Sequence, residues 1–195
     1  NARAGFEGER QLSKTANPKK VMIVGAGAGG LEAAVTAANC GHRVEIFEKD
    51  SDIGGQLWIA GAPPHKQEIL EFIRYYRAQI DKHQIPLHLN TAVDSEVVKK
   101  QNPDYIILAE GAQPLLTQID GADDPCVYSA WQVLKSNPVL GKSVAVIGGG
   151  SVGLETAVFI AAKGTLTPET LHFLFTYEAA SPERLRELLF KGSSK

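Results

Sequence analysis

Short apolar runs alternate along this chain with longer segments whose apolar residues recur at helical spacing. Residues 21–24 are all apolar, which predicts a buried strand. The segment after them carries an apolar stripe at i, i+3, i+4 and i+7, formed by Leu31, Ala34, Val35 and Ala38. This stripe predicts a helix that packs on a sheet, and Gly41 suits the position just after its last turn. Residues 43–48 then predict a second strand.

The same alternation continues as far as residue 109. A helix is predicted from about residue 66 to residue 82, with an inward stripe of Ile69, Leu70, Ile73, Tyr76 and Ile80. Residues 87–93 predict a short strand and turn, and residues 104–109 predict a buried strand. Because strands alternate with amphipathic helices, the pattern predicts an α/β fold built on a parallel sheet.

A glycine-rich turn joins the first predicted strand to the first predicted helix. Its G-x-G-x-x-G pattern is formed by Gly25, Gly27 and Gly30. Glycines let the backbone approach a pyrophosphate, and the helix N-terminus adds free N–H groups and the positive end of the helix dipole. Glu48 follows Gly30 at close to the spacing of about 20 residues expected for the acid that hydrogen-bonds a ribose hydroxyl. The turn and the acid together predict a dinucleotide site, in which the carboxylate disfavours a 2′-phosphate.

Two more glycines and an amide follow the second predicted strand. Gly54, Gly55 and Gln56 would bring further backbone N–H groups to a phosphate or a flavin. The two cysteines, Cys40 and Cys126, lie far apart and form no C-x-x-C pair. This spacing argues against a disulfide framework, a redox dithiol and a metal site.

The glycine fingerprint occurs a second time. Residues 144–155 again predict a strand, a glycine turn and the start of a helix, with glycines at Gly148, Gly150 and Gly153. The apolar stripe of the following helix is repeated as well. A match of this length indicates two nucleotide-binding modules in one chain.

The second copy departs from the first after residue 164. Thr167 and Ser181 are each followed by Pro-Glu, the pattern of a helix cap with proline at the first helical position. Two helices are therefore predicted in this segment. The alternative is a strand at residues 174–177 with Glu178 as the ribose acid, but the two helix starts favour helices. The chain would then end before the second module's own second strand and ribose acid.

Composition and charge exclude several classes of function. The chain has 195 residues, 44% of them hydrophobic and 22% charged, with a formal net charge of −2. These values are typical of a globular protein, and no basic stripe marks a surface for nucleic acid or an anionic membrane. The polar N-terminal stretch has no signal-peptide pattern, so a cytoplasmic protein is expected. Met22, the only methionine, lies inside the first predicted strand, and we therefore expect the sequence to be part of a longer protein.

These motifs together resemble those of a family of flavoproteins. Two glycine fingerprints, the Gly-Gly-Gln segment after the first acid and a strand ending in Leu-Ala-Glu-Gly-Ala at residues 108–112 resemble flavoproteins that bind two dinucleotides. More closely, they resemble the C-terminal half of the 2,4-dienoyl-CoA reductase, enoate reductase and trimethylamine dehydrogenase family of NADH:flavin oxidoreductases. The resemblance covers nearly the whole chain, including residues 1–10, which resemble the link after that family's iron–sulfur cysteines.

The resemblance implies a domain organisation. The fold would be a Rossmann-like three-layer FAD/NAD(P)-binding fold followed by a second, truncated Rossmann module. Residues 1–18 would be an extended lead-in, and residues 19–135 an FAD-binding domain that lacks its C-terminal strand. Residues 140–195 would be a partial NAD(P)-binding module with a helical insertion.

The resemblance also implies roles for individual residues. The FAD pyrophosphate would be held by Gly25, Gly27, Ala28 and Gly30. The adenosine end would be bound by Glu48 at the ribose, Lys49 beside it and the backbone of Val93 at the adenine. The pyrophosphate–flavin side would be reached by Gly55 and Gln56. Gly111 lies in the segment where the family carries Ala-Thr-Gly and this chain carries Ala-Glu-Gly. The phosphates of NAD(P)H would be bound by Gly148, Gly150 and Gly153.

The family's activity implies the function. In such proteins hydride passes from the nicotinamide to FAD, and electrons continue through a 4Fe–4S cluster to FMN in an N-terminal barrel, where substrate is reduced. This sequence contains neither the cluster cysteines nor the barrel. FMN and 4Fe–4S are therefore expected only in the full-length protein, and this part alone is expected not to turn over the substrate. The rest of its own polypeptide would be its partner.

Two alternatives stay open at the level of the sequence. In trimethylamine-dehydrogenase-like members the first site holds ADP, a structural ligand that transfers no hydride, and this chain would then be an ADP-binding module. A flavoenzyme of the disulfide-reductase type is disfavoured because the sequence contains no C-x-x-C pair. No nucleic acid or membrane partner is expected, whereas a sheet that lacks strands would expose its edges and favour self-association.

Overall fold

A parallel sheet with helices forms the first of two units in the computed structural model. The structure describes residues 4–6, 8–9, 11–115, 119–163 and 168–185. Unit 1 comprises Asn1–Gly61 and Gln67–Leu116, and unit 2 comprises Ala62–Lys66 and Thr117–Lys195. Unit 2 therefore includes a short segment from the middle of the sequence of unit 1.

The described residues of unit 1 form four strands and four helices. The strands are β1 (Lys20–Val24), β2 (Arg43–Phe47), β3 (Leu87–His88) and β4 (Tyr105–Leu108). The helices are α1 (Ala28–Asn39), α2 (Gln56–Ala60), α3 (Ile69–His83) and α4 (Ser95–Gln101). All strand pairs are parallel, in the order β3-β2-β1-β4. The predicted α/β fold, a Rossmann-like parallel sheet with helical connections, is confirmed.

The strand order fixes where a ligand site can lie. β1 pairs on one side with β2, where Val21 is opposite Val44, and on the other side with β4, where Val21 is opposite Tyr105. The chain thus runs outward from β1 through β2 and β3 and then returns to the other side of β1. Ligands of open parallel sheets bind beyond the carboxyl ends of the strands at such a reversal. In unit 1 this point lies where Val24 leads into Gly25.

The apolar stripe predicted for α1 faces the sheet, and the stripe predicted for α3 packs against α1. The buried stripe residues are Leu31, Ala34 and Val35 on α1 and Ile73, Tyr76 and Ile80 on α3. They pack in one core cluster with Ile23 and Ile46 of the sheet. The opposite face carries a smaller cluster of Met22, Val24 and Phe47, against which Val93 packs. Because both faces are covered, β1 is apolar along nearly its whole length.

The burial of β4 differs from its prediction. The apolar run at residues 104–109 predicts a buried strand, but the side chains of Tyr105–Leu108 are between 37% and 70% exposed. β4 is the last strand of the sheet, and within the described ranges no further strand pairs with its outer edge. An apolar run is buried only when distant parts of the chain cover it, which the run itself does not encode.

Unit 2 is helical in its described part. Its helices are α5 (Ala130–Ser136), α6 (Ser151–Ala161) and α7 (Pro168–Thr176), and α5 packs against α6. α7 begins at Pro168 as the cap pattern predicts, so the alternative strand at residues 174–177 is wrong. None of the helices in the described ranges is long and apolar enough to cross a lipid bilayer.

The second predicted helix of this segment is described only at its start. Residues 182–185 are helical, and the Arg184 N–H donates to Ser181 Oγ at 3.2 Å, so Ser181 acts as the predicted cap. The rest of this helix, Gly164 and Thr167 lie outside the described residues.

The predicted strand of the second module does not form. Residues 144–147 pair with no strand in the described part of the chain, and Ile147 is 77% exposed. α6 after them buries only Thr156, while Val158 of its repeated apolar stripe is exposed. A parallel strand needs a neighbouring strand, and the segment where the repeat would supply that neighbour includes α7 instead.

Candidate functional site

The turn between β1 and α1 has positions that accept only glycine. Gly25 has a φ of +100°, and a Cβ atom there would collide with the carbonyl oxygen of Ala109. A Cβ atom on Gly30 would collide with the carbonyl oxygen of Gly25, because α1 passes that close to the end of β1. Gly27 caps α1 with no side-chain hydrogen bond. The first N–H groups of α1 therefore lack a side-chain cap at the carboxyl edge of the sheet, where an anion can accept from them.

Glu48 ties this turn to the end of β2. Its side chain is only 7% exposed. Glu48 Oε2 accepts from the Ala26 N–H at 2.6 Å, and Oε1 accepts from the Asp50 N–H at 2.9 Å. An ionised carboxylate has about four acceptor positions, so two remain beyond these two bonds. The acid that the spacing predicts as a ribose ligand thus also holds the glycine turn in place.

The loop after β2 lies directly on the glycine turn. The Gly54 N–H donates to the Ala26 carbonyl at 2.8 Å, and Gly27 and Gly54 form a parallel bridge. Gly55 has a φ of +49°, and a Cβ atom there would lie 3.3 Å from the Gly27 Cα. Gly55 thus lies where the two backbone segments approach closely, whereas a Cβ atom on Gly54 would collide with the side chains of Ile73 and Trp58. Ile53 is fully buried in the core and so anchors this loop.

Gln56 connects this loop to the segment after β4. Gln56 is the first residue of α2, and its Nε2 donates to the Ala112 carbonyl at 3.2 Å. Gly111 has a φ of +77°, and a Cβ atom on it would lie 3.1 Å from Gln56 Nε2. The structure thus brings Gln56 and Gly111 together at the same sheet edge as the glycine turn.

Val93 and Lys49 flank the same edge. The Thr91 N–H donates to the Glu48 carbonyl at 2.8 Å and the Asn90 N–H to the Asp50 carbonyl at 3.0 Å, so the chain before Val93 runs beside the end of β2. The Val93 side chain packs on the smaller core cluster, and its backbone makes no hydrogen bond to another described residue. Lys49 is exposed.

The second glycine turn, in unit 2, has the same backbone shape. Gly148 has a φ of +108°, and Gly150 caps α6 at φ −75° and ψ 177°, close to the −75° and −178° of Gly27. A Cβ atom on Gly153 would collide with the Gly148 carbonyl oxygen, as at Gly30 in the first copy. Next to this turn, Lys66 Nζ and Glu155 Oε1 form an ion pair at 2.5 Å.

Residues 19–187 match the family model described as "Pyridine nucleotide-disulphide oxidoreductase". The chain belongs to this family. A bilirubin reductase of Mediterraneibacter gnavus is 40% identical over 84% of this chain and 26% of its own length. A metal reductase of Desulforamulus reducens is 36% identical over 100% of this chain and 30% of its own length.

A solved structure agrees with these relatives. The structure of 2-naphthoyl-CoA reductase in complex with 2-naphthoyl-CoA has a TM-score of 0.79 and 32% identity over 96% of this chain and 30% of that chain. The predicted kinship with the 2,4-dienoyl-CoA reductase family of flavoproteins is confirmed. The chain spans only 26–30% of the length of these three proteins.

Within this family fold, a buried phenol lies beside α1. Tyr76 Oη donates to Glu32 Oε2 at 3.1 Å. Burial, and next the charge of Glu32, raise the pKa of Tyr76 to about 12. The phenol therefore stays neutral and acts as a hydrogen-bond donor. No group of three or more His, Cys, Asp or Glu side chains in the described ranges is arranged to hold a metal ion.

Sequence spacing identifies the parts of the site but misses how they are joined. The contact of Gly54 with Ala26, the second role of Glu48 and the pairing of Lys66 with Glu155 all link residues far apart in sequence. Of these three contacts, only the one between Gly54 and Ala26 has a signal in the sequence, which is the pair of glycines at positions 54 and 55.

Proposed function

We propose that this chain is the dinucleotide-binding part of an NAD(P)H-dependent flavin oxidoreductase. FAD would bind in unit 1 and NAD(P)H at the second glycine turn. The observation that carries the proposal is the meeting of the first turn, Glu48 and the Gly54–Gly55 loop at the strand-order reversal. Bound FAD would supply a ring that accepts hydride from a nicotinamide.

The residues present in unit 1 fit a dinucleotide. The helix α1 has no side-chain cap, so its N–H groups and dipole can receive the pyrophosphate at Gly25, Gly27, Ala28 and Gly30. Glu48 would accept from the ribose hydroxyls with Lys49 beside it, and the backbone of Val93 would meet the adenine. Gly55 and Gln56 would line the side toward the flavin, next to Gly111.

The second turn supports a second dinucleotide. Because its backbone repeats that of the first turn, Gly148, Gly150 and Gly153 would bind the phosphates of NAD(P)H at the uncapped start of α6. On this proposal residues 19–135 form the FAD-binding domain after a lead-in at 1–18, and residues 140–195 form a partial NAD(P)-binding module.

In the full-length protein, electrons would pass onward to a domain with 4Fe–4S and FMN that reduces an enoate or dienoyl-CoA. This part alone would not reduce that substrate, and the remaining polypeptide would be its partner. The protein would work in the cytoplasm, and the exposed edge of β4 would favour self-association of this part. The relatives named above are reductases, which does not favour the alternative of a structural ADP module.

The test is to identify what the purified chain binds. Flavin absorbance, followed by chromatography of the heat-released nucleotide, is expected to show that the chain is purified with FAD or takes up FAD when it is added. Gly30→Val should abolish this uptake, and Gly153→Val should spare it while abolishing NAD(P)H binding, because each new side chain blocks its own turn. A chain that takes up ADP but not FAD, or neither, would contradict the proposal.

A further inference from the structure

The sequence repeat places a carboxylate at matching positions of the two nucleotide helices. Glu32 lies two residues after Gly30, and Glu155 lies two residues after Gly153. In unit 1 Glu32 accepts from the hydroxyl of Tyr76, and in unit 2 Glu155 pairs with Lys66. Both carboxylates are thus engaged by a residue from outside their own glycine module.

The two partners differ in charge. Tyr76 is a neutral donor, because its buried phenol has its pKa raised to about 12. Lys66 carries a positive charge and cancels that of Glu155. The two side chains of this pair are 40% and 34% exposed, so they are only partly screened by solvent.

Glu155 is close enough to the start of α6 to act on an anion bound there. α6 begins at Ser151, four residues earlier, which corresponds to about 6 Å along the helix axis. Helical side chains lean toward the N-terminus, which brings the carboxylate closer still. This separation is within the Debye length of about 10 Å at 0.1 M salt, so an unpaired Glu155 would repel a pyrophosphate.

The segment that carries Lys66 is shaped to present it. The Lys66 N–H donates to the Pro63 carbonyl at 3.3 Å, which closes a turn after two prolines whose φ angles are fixed. His65 takes a φ of +65°, in the left-handed region that is uncommon for residues other than glycine. The segment Ala62–Lys66 belongs to unit 2 although the chain on both sides belongs to unit 1.

We propose that Lys66 is a positioning residue of the second dinucleotide site, which cancels the charge of Glu155 and keeps this carboxylate from repelling the pyrophosphate. The inference rests on the proposed function, because it requires NAD(P)H at the second glycine turn. The inference thereby adds to this site a residue, Lys66, that is remote in sequence from the second glycine fingerprint.

The test is a double-mutant cycle on nucleotide affinity. The dissociation constants of NADH and NADPH are measured at low salt, with saturating FAD to fill the first site, for wild type, Lys66→Gln, Glu155→Gln and the double variant. Lys66→Gln should weaken binding about threefold to tenfold, whereas the same change in the Glu155→Gln background should alter it less than about twofold. Raising the salt concentration should reduce the effect of Lys66→Gln.

Two further variants control this cycle. Lys99→Gln removes a lysine from an exposed ion pair within α4, Lys99–Glu96 at 3.0 Å, and should leave NADH affinity unchanged. Lys66→Arg keeps the charge and should retain affinity, which separates loss of charge from any loss of folding in Lys66→Gln.

The possible results separate the inference from the function on which it rests. If Lys66→Gln has no effect, or weakens binding equally with and without Glu155, the inference is wrong. Loss of affinity in Lys66→Arg would also overturn it. If wild type binds neither nucleotide, the proposed function is wrong and the inference falls with it.

Discussion

The two glycine turns have nearly the same backbone but very different surroundings. Gly25 and Gly148 have φ angles of +100° and +108°, and the caps Gly27 and Gly150 agree within a few degrees. The first turn follows a buried strand of a four-stranded sheet, whereas residues 144–147 before the second are exposed and unpaired in the described part of the chain. Turn shape therefore follows from local glycine spacing, while strand formation depends on distant partners.

The surroundings also differ in chemistry. Around the first turn lie an acid that hydrogen-bonds it and a glycine loop that crosses it. Beside the second turn, the described residues form the Lys66–Glu155 ion pair. On the proposed function, each turn would supply the phosphate contacts, and the neighbouring elements would supply rigidity and the choice of nucleotide.

The largest effect is expected from alanine at the first glycine of each turn. Gly25→Ala should destabilise unit 1 by about 4 kcal/mol, because backbone strain of about 1–3 kcal/mol adds to a collision with the Ala109 carbonyl. Gly148→Ala should cost only the strain, since its Cβ would meet no described atom within 4 Å. Hydrogen exchange at the amides of β1 and α6 measures each unit separately. Equal losses at both positions would mean that the second turn is as tightly packed as the first.

The elements that the sequence predicts correctly are those set by local pattern. The long stripes of α1 and α3 give the right helices, and the cap pattern gives the start of α7. The short helices α2, α4 and α5 are missed, although Asp94 caps α4 and Ser129 with Gln132 forms a capping box at α5. The residues of both caps can be read in the sequence. The helices are nevertheless missed, because five to seven residues are too few to show a helical period of apolar positions.

The errors concern burial and pairing, which are not local. β4 and residues 144–147 have similar apolar sequences, yet the first is an exposed edge strand and the second forms no ladder within the described ranges. Within the site, spacing locates Gly25, Gly30 and Glu48. It does not show that Glu48 binds the turn itself, since this depends on how the ends of β1 and β2 meet.

Glu48 is the feature that most clearly distinguishes the first site from the second. Glu48→Gln should lower the free energy of unfolding by about 2 kcal/mol, because two charge-assisted hydrogen bonds to backbone N–H groups are weakened or lost. FAD affinity should fall as well. Urea denaturation measures the first effect, with Glu71→Gln in the exposed Glu71–Arg74 pair as a control that changes stability little. An unchanged unfolding midpoint would show that the turn holds its shape without the acid.

The contact between the first glycine turn and the Gly54–Gly55 loop is tested by a variant with a smaller expected effect. Gly55 and Gly121 both have positive φ angles, +49° and +83°, but only the Cβ of Gly55 would contact another backbone, at 3.3 Å from Gly27 Cα. Each alanine variant should cost about 1–2 kcal/mol in backbone strain, because both positions have a φ that favours glycine. Gly55→Ala alone should also weaken FAD binding, measured by fluorescence titration, because the first turn has to move. If both variants bind FAD like wild type, the loop crossing does not matter for the ligand.

The smallest effect concerns the neutral partner of Glu32. Tyr76→Phe removes a buried hydrogen bond and should cost about 1 kcal/mol near neutral pH, whereas Tyr75→Phe, at a half-exposed ring, should cost less. Because the folded state raises the pKa of Tyr76 from 10.0 to about 12, the stability from this group is complete below pH 10 and is lost as the pH rises toward 12. Wild type should therefore lose more stability over this range than Tyr76→Phe in urea denaturation. Parallel pH profiles for the two proteins would mean that folding does not raise the pKa of this phenol, and that neither its burial nor the nearby charge of Glu32 acts on its ionisation.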